Sequence, residues 1–195
     1  NIPIRSELGQ KIRAAFVAAP GNVLIAADYS QIELRVLAHL SGDPLLVESF
    51  RAGEDVHTRT AIEMFGPEEG KLPDKRRAAK MINYGIVYGL TDFGLAARLS
   101  IERRLAKKYI EEYFARYHGV RTFMDELVRR AKAEGGARTL RGRFRPLPDL
   151  TNKNFPLRGY AERMAKNTPI QGTAADILKQ AMIDVQRLLI AQEPE

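Results

Sequence analysis

The 195-residue chain has no cysteine, which excludes disulfides and thiolate metal sites. It lacks any run of about 18 apolar residues, so no membrane span is expected. No secretory signal opens it, and export is not expected. It starts at Asn1 rather than Met and reads as a piece of something longer. Internal repeats and low-complexity tracts are missing as well, so neither a repeat array nor a disordered tract is expected. What is present fits a globular chain: hydrophobic residues make up 45%, enough for a sizeable core. Thirty-one Lys and Arg against 24 Asp and Glu leave a net charge of +7, with a pI near 9.7. That balance points to a polyanionic partner, although many merely basic soluble proteins share it.

Helical signals dominate after a different start. Lys11 to Ala18 and Val23 to Ala27 read as two strands joined at Pro20-Gly21. The second is a continuous apolar run of the buried-strand kind, ending at Asp28. Ser30-Gln31-Ile32-Glu33 has the form of a capping box, so a helix is predicted from Gln31 to about Ser41-Gly42. Asp43-Pro44, Asp55 and Asp74 then read as caps of three more helices. A long amphipathic helix is predicted after Ser100, to about His118, and its neighbour from Arg121 to Glu134. Residues 137–148 read as a hairpin or extended loop. Tyr160 to Asn167 reads as a helix that ends before Pro169. Thr173-Ala174-Ala175-Asp176 reads as the cap of a last helix, reaching about Gln192.

Three segments carry chemistry. In the predicted helix after Asp74, Arg76, Lys80, Tyr84 and Tyr88 stand four apart. Each such step drifts by about 40°, so the four share one broad face. Two cations suit a polyphosphate and two rings suit a base, in the order a nucleoside triphosphate would meet them. The plain structural alternative is a solvated basic face running into a core aromatic stripe. Asp28, at the end of a predicted strand, is suited to magnesium, which takes one or two carboxylates and completes its shell with phosphate and water. A lone Asp at a strand end is more commonly a turn residue, and Glu33 also serves the capping box. In the third segment, Arg163, Asn167 and Gln171 can donate to the minor-groove acceptors shared by all base pairs; a C-cap with two surface polars is the plain alternative.

Together these segments resemble the family-A DNA polymerases, the bacterial DNA polymerase I type, over essentially the whole chain. Asp28-Tyr29-Ser30-Gln31-Ile32-Glu33-Leu34-Arg35 is similar to the family's motif A. Arg76, Lys80, Tyr84 and Tyr88-Gly89 resemble motif B, the O helix of the fingers. Thr168-Pro169-Ile170-Gln171-Gly172-Thr173-Ala174-Ala175-Asp176 resembles the stretch that leads into the last palm helices. Asn1-Ile2-Pro3-Ile4-Arg5 is similar to the segment where the palm meets primer-template. The resemblance implies an α/β, helix-rich fold: part of a polymerase palm with an inserted all-helical fingers subdomain. Residues 1–41 and 159–195 would belong to the palm and residues 42–158 to the fingers, with the O helix near 74–89.

The implied activity is template-directed DNA synthesis from dNTPs, with two magnesium ions, on primer-template DNA. No obligate protein partner and no membrane are implied, and the setting would be cytoplasmic, at the nucleoid, or viral. Asp28 would bind both ions, helped by the Tyr29 carbonyl. Arg76 and Lys80 would hold the triphosphate, with His57 and Gln31 as further phosphate or sugar contacts. Glu33 would be the steric gate against a 2′-hydroxyl. Tyr84 would stack on the incoming nucleotide and Tyr88 would occupy the template stacking position. Asn1, Arg5, Arg163, Asn167 and Gln171 would touch primer or template.

Two features depart from the family pattern. The second catalytic aspartate lies in a His-Asp-Glu motif, and none of His39, His57 and His118 precedes Asp-Glu. One carboxylate does not hold two ions, so the isolated chain is expected to bind DNA weakly and not to extend primers. Tyr84 also stands where many bacterial members carry Phe, which bears on sugar selection. A non-catalytic DNA-binding module is the alternative of a different class. A single-subunit RNA polymerase is disfavoured by Glu33, because such an enzyme must admit the 2′-hydroxyl.

Overall fold

The computed structural model describes residues 2–4 and 6–192. They fall into two units, residues 1–30 and residues 31–195.

In the first unit Glu7–Ala14 forms helix α1. The strand expected from Lys11 to Ala18 therefore does not form: its first half is helical, and Phe16 to Ala18 pair with no strand among the described residues. Local helix signals outweigh the alternating pattern: the Ser6 hydroxyl accepts from Gly9 N–H at 3.1 Å, Glu7 sits in the first turn, and Lys11 and Arg13 sit in the last. Each suits the helix dipole. The strand expected at Val23 to Ala27 does not form either. The segment is extended but pairs with no strand among the described residues. Ile25 is 88% exposed. A strand is stabilised by its ladder and by packing on its faces, and this run has neither among those residues.

The second unit is helix-rich, as expected. Helices α2 (Ile32–Ser41), α3 (Pro44–Arg51), α4 (Val56–Phe65), α5 (Pro73–Val87), α6 (Asp92–Leu99), α7 (Arg103–Arg116) and α8 (His118–Glu134) lead to a hairpin. Strands β1 (Gly136–Arg138) and β2 (Phe144–Pro146) make it, and α9 (Phe155–Gln192) follows. The hairpin is antiparallel, with Ala137 opposite Arg145. It is the sheet of the described residues, so the β part of the α/β expectation shrinks to this ribbon. No helix among the described residues is long and apolar enough to cross a membrane.

The core joins Leu34 and Leu37 of α2, Leu46 of α3, Val56 of α4, Ile82 and Val87 of α5, Tyr113 of α7, Val120 of α8 and Ile170 of α9. A smaller cluster packs Ala131, Leu147, Leu150, Ala161 and Ala165 around the hairpin. Asp43 ties early and late chain together. One carboxylate oxygen accepts from Leu46 N–H at 3.2 Å, capping α3 as predicted, and the other from Gly119 N–H at 2.9 Å, in the first turn of α8.

Other boundaries moved for identifiable reasons. Asp74 lies within the first turn of α5, not at its cap, which is Leu72 with Pro73 following. Helix α6, capped by the Thr91 hydroxyl, was not foreseen. The largest difference is α9, which runs unbroken through Pro169. The helix therefore does not end before Pro169, Gln171 is helical, and Thr173 is not at a helix start. Proline inside a helix costs about 3 kcal/mol. Burial here offsets that penalty: Ala165, Thr168, Ile170, Thr173 and Ala174 are all buried. The Thr168 hydroxyl also donates to the Met164 carbonyl at 2.7 Å, and the Thr173 hydroxyl accepts from Leu140 N–H at 2.9 Å.

Candidate nucleotide and nucleic-acid site

Helix α5 is two-faced. Ala78, Ala79, Ile82, Asn83, Ile86 and Val87 are buried, while Arg76, Lys80 and Tyr88 are exposed and Tyr84 is half-buried. The periodic apolar face packs α5 on α4 and leaves the cation–tyrosine face open. Its end is a Schellman turn: Leu90 N–H donates to Gly85 O at 2.7 Å, and Gly89 N–H to Ile86 O at 3.2 Å. Gly89 has φ +65°, in the left-handed region, and a Cβ there would crowd Arg163 Cγ at 3.0 Å.

The two rings that end the exposed face lie nearly parallel. Tyr84 and Tyr88 have centroids 6.4 Å apart at an interplanar angle of 18°. The Tyr88 hydroxyl donates to the Glu33 carboxylate, 3.1 Å from each oxygen. Burial, the Glu33 charge and this bond push the Tyr88 phenol up to about 12. The Glu33 carboxylate, expected to serve a capping box, is engaged by Tyr88. Helix α2 starts at Ile32 with no side-chain cap, and its N-cap is Gln31. Gln31 lies in the left-handed region, at φ 53° and ψ 38°. For a residue with a Cβ this costs about 1–2 kcal/mol, and held strain of this kind concentrates at functional sites.

At the other end of the face, Arg76 is engaged by α4. Its Nη2 lies 2.6 Å from Asp55 Oδ2, its Nε donates to the same oxygen at 2.7 Å, and Nε also reaches Thr58 Oγ1 at 3.2 Å. Lys80 is exposed and makes no hydrogen bond or ion pair among the described residues. His57 is only 2% exposed and lies beside Tyr84, with ring centroids 5.5 Å apart.

Beneath the face lies a network that the sequence reading missed. The Asn83 amide nitrogen is 3.2 Å from His57 Nδ1 and donates to Thr60 Oγ1 at 3.0 Å. Thr60 Oγ1 is also 3.0 Å from the Tyr117 hydroxyl. An amide N–H only donates, so His57 Nδ1 must accept and the ring is neutral, with its proton on Nε2. Burial pushes the imidazole down to about 4; Asp55 acts in the opposite sense, and Lys80 and Arg76 add to the depression. The available signal was Asn83 itself, a polar residue at an apolar position of the helical period.

The remaining predicted residues fall in different settings. Asp28 and Tyr29 are exposed, in the extended segment of the first unit; Asp28 does not end a strand. Asn1 and Arg5 lie outside the described residues. Arg163, Asn167 and Gln171 all lie on α9, with Arg163 and Gln171 half-buried. Asn167 is 7% exposed. With its amide nitrogen turned toward the carbonyls it donates to Val87 O at 2.7 Å and Arg163 O at 3.1 Å, holding the end of α5. No cluster of three or more His, Asp or Glu able to hold a metal occurs among the described residues. Asp28 alone therefore does not constitute a magnesium site.

The unit thus presents an exposed Arg–Lys–Tyr–Tyr face with a buried polar network behind it, a surface with the chemistry to take a ligand that carries both phosphate and an aromatic ring. The comparisons fix the family. The family model described as DNA polymerase family A matches residues 1–195, and the chain belongs to that family. It is 52% identical over 195 residues to DNA polymerase I of Lactococcus lactis subsp. lactis, covering 99% of this chain and 22% of that protein. It is 55% identical over 187 residues to DNA polymerase I of Geobacillus stearothermophilus, covering 95% of this chain and 21% of that protein. Its fold is similar to a solved POL domain of Pol1 from M. smegmatis in complex with DNA primer-template and dNTP. The TM-score there is 0.88 at 46% identity, covering 98% of this chain and 34% of that one. The chain thus spans about a fifth of the length of these curated relatives.

Proposed function

We propose that this chain is the nucleotide-selecting part of a DNA-directed DNA polymerase, which adds dNTPs to a primer 3′-hydroxyl under template direction. The observation that carries the reading is the exposed face of α5, with Arg76 and Lys80 followed by the parallel rings of Tyr84 and Tyr88. Arg76 and Lys80 bind the triphosphate and stabilise the charge that develops on it. Tyr84 stacks on the incoming nucleotide. The Tyr88 bond holds Glu33 beside the sugar, where its carboxylate excludes a 2′-hydroxyl. His57, neutral with its proton on Nε2, donates to a phosphate oxygen once the site opens around it, and Gln31 assists at the sugar or phosphate.

Residues 1–41 and 159–195 are read as palm and residues 42–158 as fingers. Tyr88 occupies the template stacking position, and Arg163 and Gln171 face the duplex. For Asn167 to reach the template, its bond to the end of α5 must break. Asp28 and the Tyr29 carbonyl contribute to a site for two magnesium ions, which when bound would activate the primer hydroxyl and the leaving group. A second carboxylate is required to hold two ions.

The test is primer extension by the full-length gene product with magnesium and each dNTP in turn. Addition of only the nucleotide complementary to the template supports the reading. Magnesium-independent or template-independent addition, or DNA binding with no addition, would overturn it in favour of a binding module.

A further inference from the structure

Asp55 is the N-cap of α4, and its carboxylate is engaged beyond that duty. Oδ1 accepts from His57 N–H at 3.0 Å. Oδ2 accepts from the Thr58 hydroxyl at 3.1 Å and from Arg76 Nε at 2.7 Å, with Arg76 Nη2 at 2.6 Å. The same carboxylate therefore grips the backbone of His57 on α4 and one edge of the Arg76 guanidinium on α5. Both residues belong to the phosphate end of the proposed site. The other terminal nitrogen of Arg76, Nη1, has no protein hydrogen bond among the described residues. The Arg76 side chain is 46% exposed and that of Asp55 37%, so solvent and a ligand can approach the pair.

We propose that Asp55 is a positioning residue for the triphosphate. It fixes the guanidinium of Arg76 by one edge so that Nη1 faces the ligand, and it seats the first turn of α4 that carries His57. This rests on the reading that Arg76 binds the triphosphate. A free arginine samples many rotamers, and its planar fork gives directional binding only when it is held. A carboxylate beside a polyanion would repel it if its own charge were free. Here both oxygens are occupied and the charge is matched by Arg76. The Asp55 carboxyl agrees with this: burial raises it, but the bonds from Arg76, His57 N–H and Thr58, with the Arg76 charge, bring it below the usual carboxylate range.

The experiment measures incorporation of dATP opposite template dT by the full-length gene product, with saturating primer-template and magnesium. Parent, Asp55→Asn, Arg76→Ala and the double variant are compared. Asparagine caps helices as well as aspartate, so Asp55→Asn keeps the start of α4 and removes the charge. The KM for dATP is expected to rise on the order of 10-fold, the size of one charge-assisted hydrogen bond. kcat, primer-template affinity and Tm should stay near parent values. In the Arg76→Ala background the same substitution should add nothing further. Asp55→Ser, also a good cap, should behave like Asp55→Asn.

A parent-like KM in Asp55→Asn would reduce Asp55 to a helix cap and overturn the proposal. A lowered KM would overturn it too, showing that the carboxylate competes with the triphosphate for Arg76. Equal losses with and without Arg76 would show that Asp55 does not act through it. If Arg76→Ala itself leaves the KM unchanged, the triphosphate reading of α5 fails together with this proposal. A defect in Arg76→Ala beside a normal Asp55→Asn removes the positioning role alone.

Discussion

Helices α4 and α5 are joined by two polar clusters that use the same pair of elements for opposite ends. Asp55, Thr58 and Arg76 form an exposed, charged cluster at the solvent edge. His57, Thr60, Asn83 and Tyr117 form a buried, neutral one beneath it. In water an ion pair contributes little to stability, because solvent screens the attraction and two long side chains must be ordered. Inside the protein a lost partner leaves a stranded donor or acceptor, which is costly. The exposed cluster is thus free to serve a ligand, and the buried one fixes how the helices meet.

The comparison breaks first if the exposed face proves unimportant to chemistry. Lys80→Ala in the full-length gene product should lower kcat/KM for dNTP by about 10²-fold or more, close to 2.7 kcal/mol. Primer-template affinity and melting temperature should hardly move. A loss confined to DNA affinity would assign Lys80 to the template.

Tyr84 lies between the clusters, its ring beside buried His57. Its hydroxyl is expected to substitute for the missing 3′-hydroxyl of a dideoxynucleotide, so the parent enzyme should accept both sugars. Tyr84→Phe should then discriminate against the dideoxy substrate by roughly 10- to 100-fold. Paired dideoxy and deoxy kinetics on both proteins give the answer, and equal discrimination would leave Tyr84 as a stacking ring.

On the buried side, Asn83→Leu removes the donor to His57 and Thr60 and should cost about 1–3 kcal/mol in urea denaturation. A neutral result would mean that the network relaxes onto water and fixes nothing.

The pH dependence sharpens the same point. The folded-state imidazole of His57 lies at about 4, below its ordinary 6.5. The unfolded chain therefore binds the extra proton first. The contribution is complete above about pH 6.5 and is lost as pH falls toward 4, with a slope of at most about 1.4 kcal/mol per pH unit. Melting curves from pH 7 to pH 4 should show that loss, and His57→Gln should lessen it.

The smallest effect is expected at the exposed pair. A double-mutant cycle on Asp55→Asn and Arg76→Gln should give a coupling of about 1 kcal/mol or less to folding, falling with added salt. A larger, salt-insensitive coupling would erase the distinction between the clusters.

Much of this was legible along the chain because it depends on near neighbours. The caps at Asp43 and Asp55 follow from local hydrogen bonding, and the shared face of Arg76, Lys80, Tyr84 and Tyr88 follows from helical geometry. Other features depend on partners distant in sequence. Glu33 pairs with Tyr88 of α5. The Asn83 network draws on residues from three segments of chain. The apolar run at Val23 to Ala27 has the composition of a strand, but composition supplies no ladder partner.

Pro169 marks the same division. The residue before a proline tends to leave the helix, so the local rule ended α9 there. The fold carries the helix on, because Ile170 and its neighbours gain more from burial in the core than the missing N–H costs. By itself the sequence determined the family, the helical periods and the order of cations and rings on α5, since each is a matter of residue type at fixed spacing. Only the tertiary structure decided the partners of Arg76, Glu33, His57 and Asn167. The contacts of Arg76 with Asp55, His57 with Asn83, Glu33 with Tyr88 and Asn167 with Val87 join residues 21 to 80 positions apart, and no local propensity acts over such a separation.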